Sequence, residues 1–259
     1  IRSIMKDSSG NIWFGGYYNL KEIDYSRKNI RHFPGLNGIT AIIEKDSTHM
    51  WIGTSTGLYL LEKATGKYTY IQMPVESYYI YSLCQASDGM LYIGTNNAGL
   101  LVYDTTKNTF RHYHRDNCAL ISNNIYTLLS DGKGNIFLST EHGLSTFYPV
   151  EETFHNWTKE QGLKSDHFNA ASGTLRKNGN FIFGSTDGAI EFNKDMILPR
   201  DYKFKMVFSD LRVFYQTVYP KDEGSPLILD IDETKTLRLK YNQNIFSLQV
   251  SDINYDYPS

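Results

Sequence analysis

Cysteine is nearly absent: two residues in 259, Cys84 and Cys118, cannot staple a disulfide scaffold together. Cys84 falls in a segment that reads as an inner strand, where it serves as a small buried hydrophobe. Cys118 falls in a loop, and a disulfide between the two is the lesser alternative. No apolar run approaches the roughly 20 residues that a membrane-spanning helix needs, and helical spacing of apolar residues is nowhere sustained. Charge of one sign is also missing. The 26 Lys and Arg against 28 Asp and Glu leave a formal net charge of −2, which argues against a general polyanion binder. There is no phosphate-binding glycine loop, no Cys-x-x-Cys pair and no nucleophile elbow. Aromatics and glycine are plentiful instead: 20 Tyr and 20 Gly, with 14% aromatic residues, describe a globular chain with ample material for a core.

The dominant positive feature is a five-fold repeat. Trp51-Ile52-Gly53-Thr54 precedes Gly57-Leu58, Tyr92-Ile93-Gly94-Thr95 precedes Gly99-Leu100, and Phe137-Leu138-Ser139-Thr140 precedes Gly143-Leu144. Looser copies centre on Trp13-Phe14-Gly15 and on Ile182-Phe183-Gly184-Ser185. The small residue falls at 15, 53, 94, 139 and 184, so the steps are 38, 41, 45 and 45. A period of about 40 to 50 residues signals a propeller, while a β-solenoid repeats at a shorter period.

Each unit parses into four strands. The first has Ile at its first place, a small residue at its third and Ile or Leu at its fourth, as in Ile39-Thr40-Ala41-Ile42 and Ile80-Tyr81-Ser82-Leu83. An Asp- and Gly-bearing turn leads to the second, aromatic-Ile-Gly strand, whose Gly implies close approach of another backbone. The third strand starts at the Gly-Leu pair, and the fourth ends on a large apolar residue, as in Tyr68 with Ile71 and Phe110 with Tyr113. Trp13, Trp51, Tyr92 and Phe137 recur at one place and are expected in the core. The fifth unit shows no convincing fourth strand after Phe192.

The repeat stops near Met196. We expect five four-stranded propeller repeats over residues 1–198, the C-terminal part of a larger propeller. An incomplete Ig-like β-sandwich is expected over 199–259, with strands at Lys203 to Phe208, Leu211 to Val218, Leu227 to Ile231, Leu237 to Leu239 and Ile245 to Val250. The chain opens inside a first-strand motif, so it reads as a piece of a longer protein.

The unit Asp7-x-x-Gly10-Asn11-Ile12-Trp13-x-Gly15, with Gly57-Leu58 and Thr65-Gly66-Lys67, resembles the two-component regulator propeller repeat. Phe208-Ser209-Asp210-Leu211-Arg212-Val213-Phe214, with Leu239 to Leu248 further on, resembles the start of the Y_Y_Y domain that follows such propellers. The order resembles the periplasmic sensor of hybrid two-component systems in Bacteroides-type bacteria. The resemblance implies a parent histidine kinase anchored in the inner membrane and acting as a homodimer. It further implies an oligosaccharide ligand, control of polysaccharide-utilisation genes, no cofactor and no nucleic acid bound by this part. Residues 199–202 would then be the joint between propeller and second domain.

Two other function classes use the same architecture: glycan-cleaving propeller enzymes and protein–protein scaffolds. Hydrolysis needs a pair of carboxylates flanking the bond, and Glu141, Asp166 and Asp187 all fall in predicted loops, where single acids are ordinarily just solvated. His112 and His114 alternate on an outer strand without a third metal ligand nearby. Neither catalysis nor metal binding is therefore expected.

Function is expected where the units vary, in the loops at one end of the blades. The candidate ligand-binding residues are Tyr17, Tyr18, Tyr78, Tyr79, Asn96, Arg111, His114, Arg115 and His142. Aromatic faces suit the C–H surfaces of sugar rings, while Asn, Arg and His bond hydroxyls. Arg111 and Arg115 beside His112 and His114 suggest a positive patch suited to a sulfated or uronic acid sugar.

Overall fold

A computed structural model describes residues 1–75, 79–193 and 206–252. The chain is all-β apart from a single turn of 3-10 helix at Lys159–Gln161 among the described residues. It divides into two compact units, Ile1–Leu198 and Pro199–Ser259. The expected joint at 199–202 lies outside the described residues.

In the first unit four successive sheets have the same antiparallel, sequential order. The first contains β1 (Ser3–Lys6), β2 (Ile12–Gly15), β3 (Leu20–Ile23) and β4 (Ile30–Phe33). The second contains β5 (Ile39–Glu44), β6 (His49–Thr54), β7 (Gly57–Glu62) and β8 (Tyr68–Ile71). The third contains β9 (Ile80–Gln85), β10 (Leu91–Thr95), β11 (Leu100–Asp104) and β12 (Thr109–Tyr113). The fourth contains β13 (Ile125–Ser130), β14 (Ile136–Thr140), β15 (Gly143–Tyr148) and β16 (Thr153–Trp157). The fifth has three strands among the described residues, β17 (Phe168–Leu175), β18 (Asn180–Ser185) and β19 (Gly188–Asn193), not the four of a full repeat.

First strands contact one another in sequence, β1 with β5, β5 with β9, β9 with β13 and β13 with β17. The sheets therefore stand around a common axis as propeller blades. The core lies between them: each of four apolar clusters joins two consecutive blades. Trp13, Trp51, Tyr92 and Phe137 are all buried in these seams, as the repeat implies. Burial of one such side chain contributes about 1.5 to 3 kcal/mol.

The two signature pairs turn out to be one device. The hydroxyl after the small residue donates across the β2–β3 type of turn to the carbonyl of the Gly that opens the third strand: Thr54 to Gly57 at 2.9 Å, Thr95 to Gly99 at 2.7 Å, Thr140 to Gly143 at 2.9 Å. Ser185 repeats it to Gly188 at 2.8 Å. The signature Gly itself makes room chiefly for a side chain rather than for backbone. A Cβ on Gly53 would lie 2.8 Å from Ile80 Cγ2, the first residue of the next blade, and Gly15 meets Ile39 in the same way. Backbone approach belongs instead to the turn glycine, where a Cβ on Gly99 would lie 2.2 Å from the Tyr113 carbonyl oxygen.

In the second unit β20 (Met206–Val213) pairs with β21 (Gln216–Thr217) and β22 (Phe246–Asp252). Leu211–Val218 is thus split by a turn, and Leu227–Ile231 and Leu237–Leu239 are not strands, contrary to the sequence expectation. Their alternating apolar residues still pack inward: Leu227, Ile231, Leu237 and Leu239 cover Leu211 and Val213.

Candidate functional site

The second place of the first strand differs between blades and, from the second blade to the fifth, is where the backbone departs from regular pairing. Ile39 pairs with Thr54 and Ala41 with Gly53, so Thr40 bulges out of the ladder. Tyr81 and Tyr126 bulge at the same place in the third and fourth blades. In the fifth blade residues 169–172 bulge opposite Gly184. Arg2 holds the corresponding place in the first blade, its N–H bonded to the Gly15 carbonyl at 2.8 Å. Bulges re-aim side chains and recur beside functional sites. Of these, Thr40, Tyr81, Ala170 and Ala171 wall a cavity of about 300 Å³ at the axis together with Arg2 and Tyr79. Ala171 has φ 52°, a left-handed conformation costly for a residue with a Cβ.

At this cavity Arg2 joins two blades. Its guanidinium donates to the Tyr79 hydroxyl at 2.6 Å and to the Tyr17 hydroxyl at 2.5 Å. Tyr79 and Tyr81 have ring centroids 5.0 Å apart, and Tyr126 meets Tyr81 edge-on at 5.2 Å. Burial, together with Tyr126, Tyr79 and Glu141, pushes the Tyr81 pKa up. Burial and Glu141 do the same to Tyr126. Both phenols therefore stay neutral donors near pH 7, and Arg2 carries the charge of the wall.

The turns and connections expected at one end are stitched together by backbone bonds. Gly38 N–H bonds the Tyr17 carbonyl at 3.0 Å, Asn96 N–H the Tyr79 carbonyl at 2.9 Å, and Thr186 N–H the His167 carbonyl at 2.9 Å. Tyr17 and the well-exposed Tyr18 also edge a second hollow, of about 330 Å³, with Phe14 and Lys21. Tyr17, Tyr79 and Asn96 are thus gathered around the axial end, while Tyr78 lies outside the described residues.

The remaining candidates are dispersed. Arg111, on outer strand β12, pairs with Glu152 at 2.5 Å. The His114 ring lies 3.5 Å from the Asp116 carboxylate and 4.7 Å, centroid to centroid, from His112. Arg115 is exposed, with its N–H bonded to Asn123 Oδ1 at 2.8 Å. His142 is exposed and its N–H bonds Thr140 Oγ1 at 3.1 Å. Residues 111–115 thus lie against two carboxylates, Glu152 at Arg111 and Asp116 at His114.

The acids considered for catalysis are engaged in the loops. Glu141 accepts from Asn124 at 2.6 Å, Asp166 from the Lys159 N–H at 2.6 Å, and Asp187 lies 3.9 Å from Lys159 Nζ. Among the described residues no group of three or more His, Cys, Asp and Glu is placed to hold a metal ion. The cysteines are free thiols. Cys84 is only partly buried, and burial raises its pKa to about 11.

Sequence reasoning missed Arg2, Thr40, Tyr81 and Tyr126. The available signal was their position, the second place of the first strand, where the residue changes in chemical class between Arg, Thr and Tyr while its neighbours stay apolar or small.

The two-component regulator propeller model matches residues 1–18 and 74–97. The chain is similar to histidine kinase P4 of Formosa agariphila, at 23% identity over 96% of this chain and 19% of that protein's length. Among solved structures it resembles the extracellular domain of a hybrid two-component system from B. thetaiotaomicron, with a TM-score of 0.53 and 20% identity over 96% of this chain and 40% of that one. It also resembles PorZ, a type-IX secretion system component of Porphyromonas gingivalis, with a TM-score of 0.59 and 14% identity over 79% of this chain and 34% of that one. Virginiamycin B lyase of Staphylococcus aureus gives a TM-score of 0.57 and 10% identity over 76% of this chain and 70% of the lyase. These likenesses show the propeller fold.

Proposed function

We propose that this chain is part of the ligand-sensing, extracytoplasmic region of a hybrid two-component histidine kinase. Its ligand is an oligosaccharide released from a polysaccharide, bound without turnover at the axial end of the blades. The parent is a homodimer anchored in the inner membrane. Its sensor lies in the periplasm and regulates polysaccharide-utilisation genes. Residues 199–259 form the start of a Y_Y_Y domain that passes the signal on. The repeat match and the similarity to a histidine kinase support the sensor reading. A ligand shifts such a signalling equilibrium only through its differential affinity for two states.

The observation that carries the site is the convergence of Arg2, Tyr79 and Tyr81 from different blades on one cavity, with Tyr17 accepting from Arg2 at its edge. Aromatic walls with a few placed polar groups are the common makeup of small-ligand pockets. Incubating the chain with a panel of polysaccharide digests tests the reading. Binding with unchanged product masses supports a sensor. New product masses mean an enzyme, and no response to any digest favours a scaffold.

A further inference from the structure

We infer that the axial cavity takes an acidic saccharide whose carboxylate is received by Arg2. This rests on the saccharide reading above and adds the ligand's charge. The Arg2 guanidinium donates to the phenolic oxygens of Tyr17 and Tyr79, hydroxyls rather than carboxylates. Among the described residues lining the cavity none is a carboxylate. Glu141, whose charge is felt by Tyr81 and Tyr126, is held by Asn124 and is not part of that wall. A guanidinium presents five donors in a planar fork. Those left over can receive a carboxylate, and charge-assisted bonds of this kind are markedly stronger than neutral ones.

A second, independent observation lies on the same wall. Thr40 is 6% exposed and its hydroxyl has no hydrogen-bond partner. A buried hydroxyl left unpaired is costly, and a ligand oxygen in the cavity removes that cost. The Tyr79 and Tyr81 rings offer flat surfaces for the C–H face of a sugar ring. At about 300 Å³ the space suits a terminal sugar rather than a long chain.

The test titrates the whole 259-residue chain with disaccharides containing galacturonate, glucuronate or mannuronate, and with each after reduction of its carboxyls to alcohols. At least one acid should bind, and its reduced form should bind at least about tenfold more weakly. Arg2→Gln should remove that difference, so that the acid and its reduced form bind within about twofold of one another. Arg2→Lys, which keeps the charge but loses the fork, should fall between. Thr40→Val should weaken acid and reduced forms alike. Equal or tighter binding of the reduced sugars, or preference for a sulfated disaccharide, overturns the carboxylate assignment and leaves the saccharide reading standing. Arg2-dependent binding of acetate or inorganic sulfate, with no saccharide bound, overturns the saccharide reading and leaves an anion site. No binding of either overturns both.

Discussion

Arg2 and Tyr79 are 77 residues apart in sequence, in the first and third blades, yet the guanidinium reaches the phenol at 2.6 Å. With Tyr17 on the other side of Arg2, the contact links the wall of the axial cavity to the turn between β2 and β3. All three residues are at least partly solvent-accessible, so the cluster holds a recognition surface rather than the core. The combined Tyr17→Ala, Tyr79→Ala and Arg2→Ala variant is therefore expected to change unfolding stability by no more than about 1 kcal/mol. It should also lose the stabilisation by ligand that the parent chain shows in a melting experiment.

Trp51 and Trp13 occupy equivalent places but answer to different forces. Trp51 is 1% exposed, its indole nitrogen has no hydrogen-bond partner, and its ring meets Tyr103 edge-on at 6.0 Å. Trp51→Ala should cost about 3 to 5 kcal/mol through the cavity it leaves. Trp13 donates from Nε1 to the buried Asp7 carboxylate at 2.9 Å. Trp13→Phe should therefore cost more than Trp51→Phe, because it also removes a bond from a buried charge. Denaturant unfolding of the two variants checks the order.

The signature glycines and the first isoleucine of the following blade fit as pairs. Gly53→Ala should destabilise by about 1 to 3 kcal/mol, since the new methyl would press on Ile80. Adding Ile80→Val to Gly53→Ala should cost less than the sum of the two single changes. Additive costs in a double-mutant cycle would show that the two do not pack as described.

This pairing also marks how far the sequence was legible. Gly-Thr and Gly-Leu recur together because one hydroxyl–carbonyl bond joins them, so blade number, strand positions and the buried aromatics could all be read from the pattern. The axial wall could not. Arg, Thr and Tyr stand at this place in different blades, and only the bulge in the pairing register shows that Thr40, Tyr81 and Tyr126 turn the same way. Arg111 misled for the opposite reason: its neighbours in sequence suggested a patch, whereas its partner Glu152 comes from 41 residues further on. In the second unit, alternation at Leu237 to Leu239 reflected inward packing rather than a ladder.

Acid should weaken the seam between the first two blades. Burial opposes ionisation of Asp7, but hydrogen bonds from Trp13 and Asn11 and the charge of Lys63 overcome it and hold its pKa below the ordinary value. Glu44 is likewise buried in part, and its bonds from Lys63 and Ser8 hold its pKa down. Lowered folded-state values mean stability that is fully present above the unfolded values, about 3.9 and 4.3, and lost as pH falls through the folded ones. Glu22 acts in the other direction, since burial raises its pKa despite Arg31. Lys63→Met should lower stability at pH 7 and flatten its fall below about pH 4, where both carboxylates become protonated. Melting temperature measured from pH 7 down to pH 3 reads both effects.

Hydrogen exchange with a bound saccharide tests the central claim most directly, because it reports where the ligand acts. Peptides covering Arg2, residues 16–19, residues 79–82, Tyr126 and Ala170–Ala171 should gain protection when a binding digest fraction saturates the chain. The outer strands β4, β8 and β12 should exchange unchanged. Protection confined to the outer strands, with the axial peptides unaltered, would contradict the account.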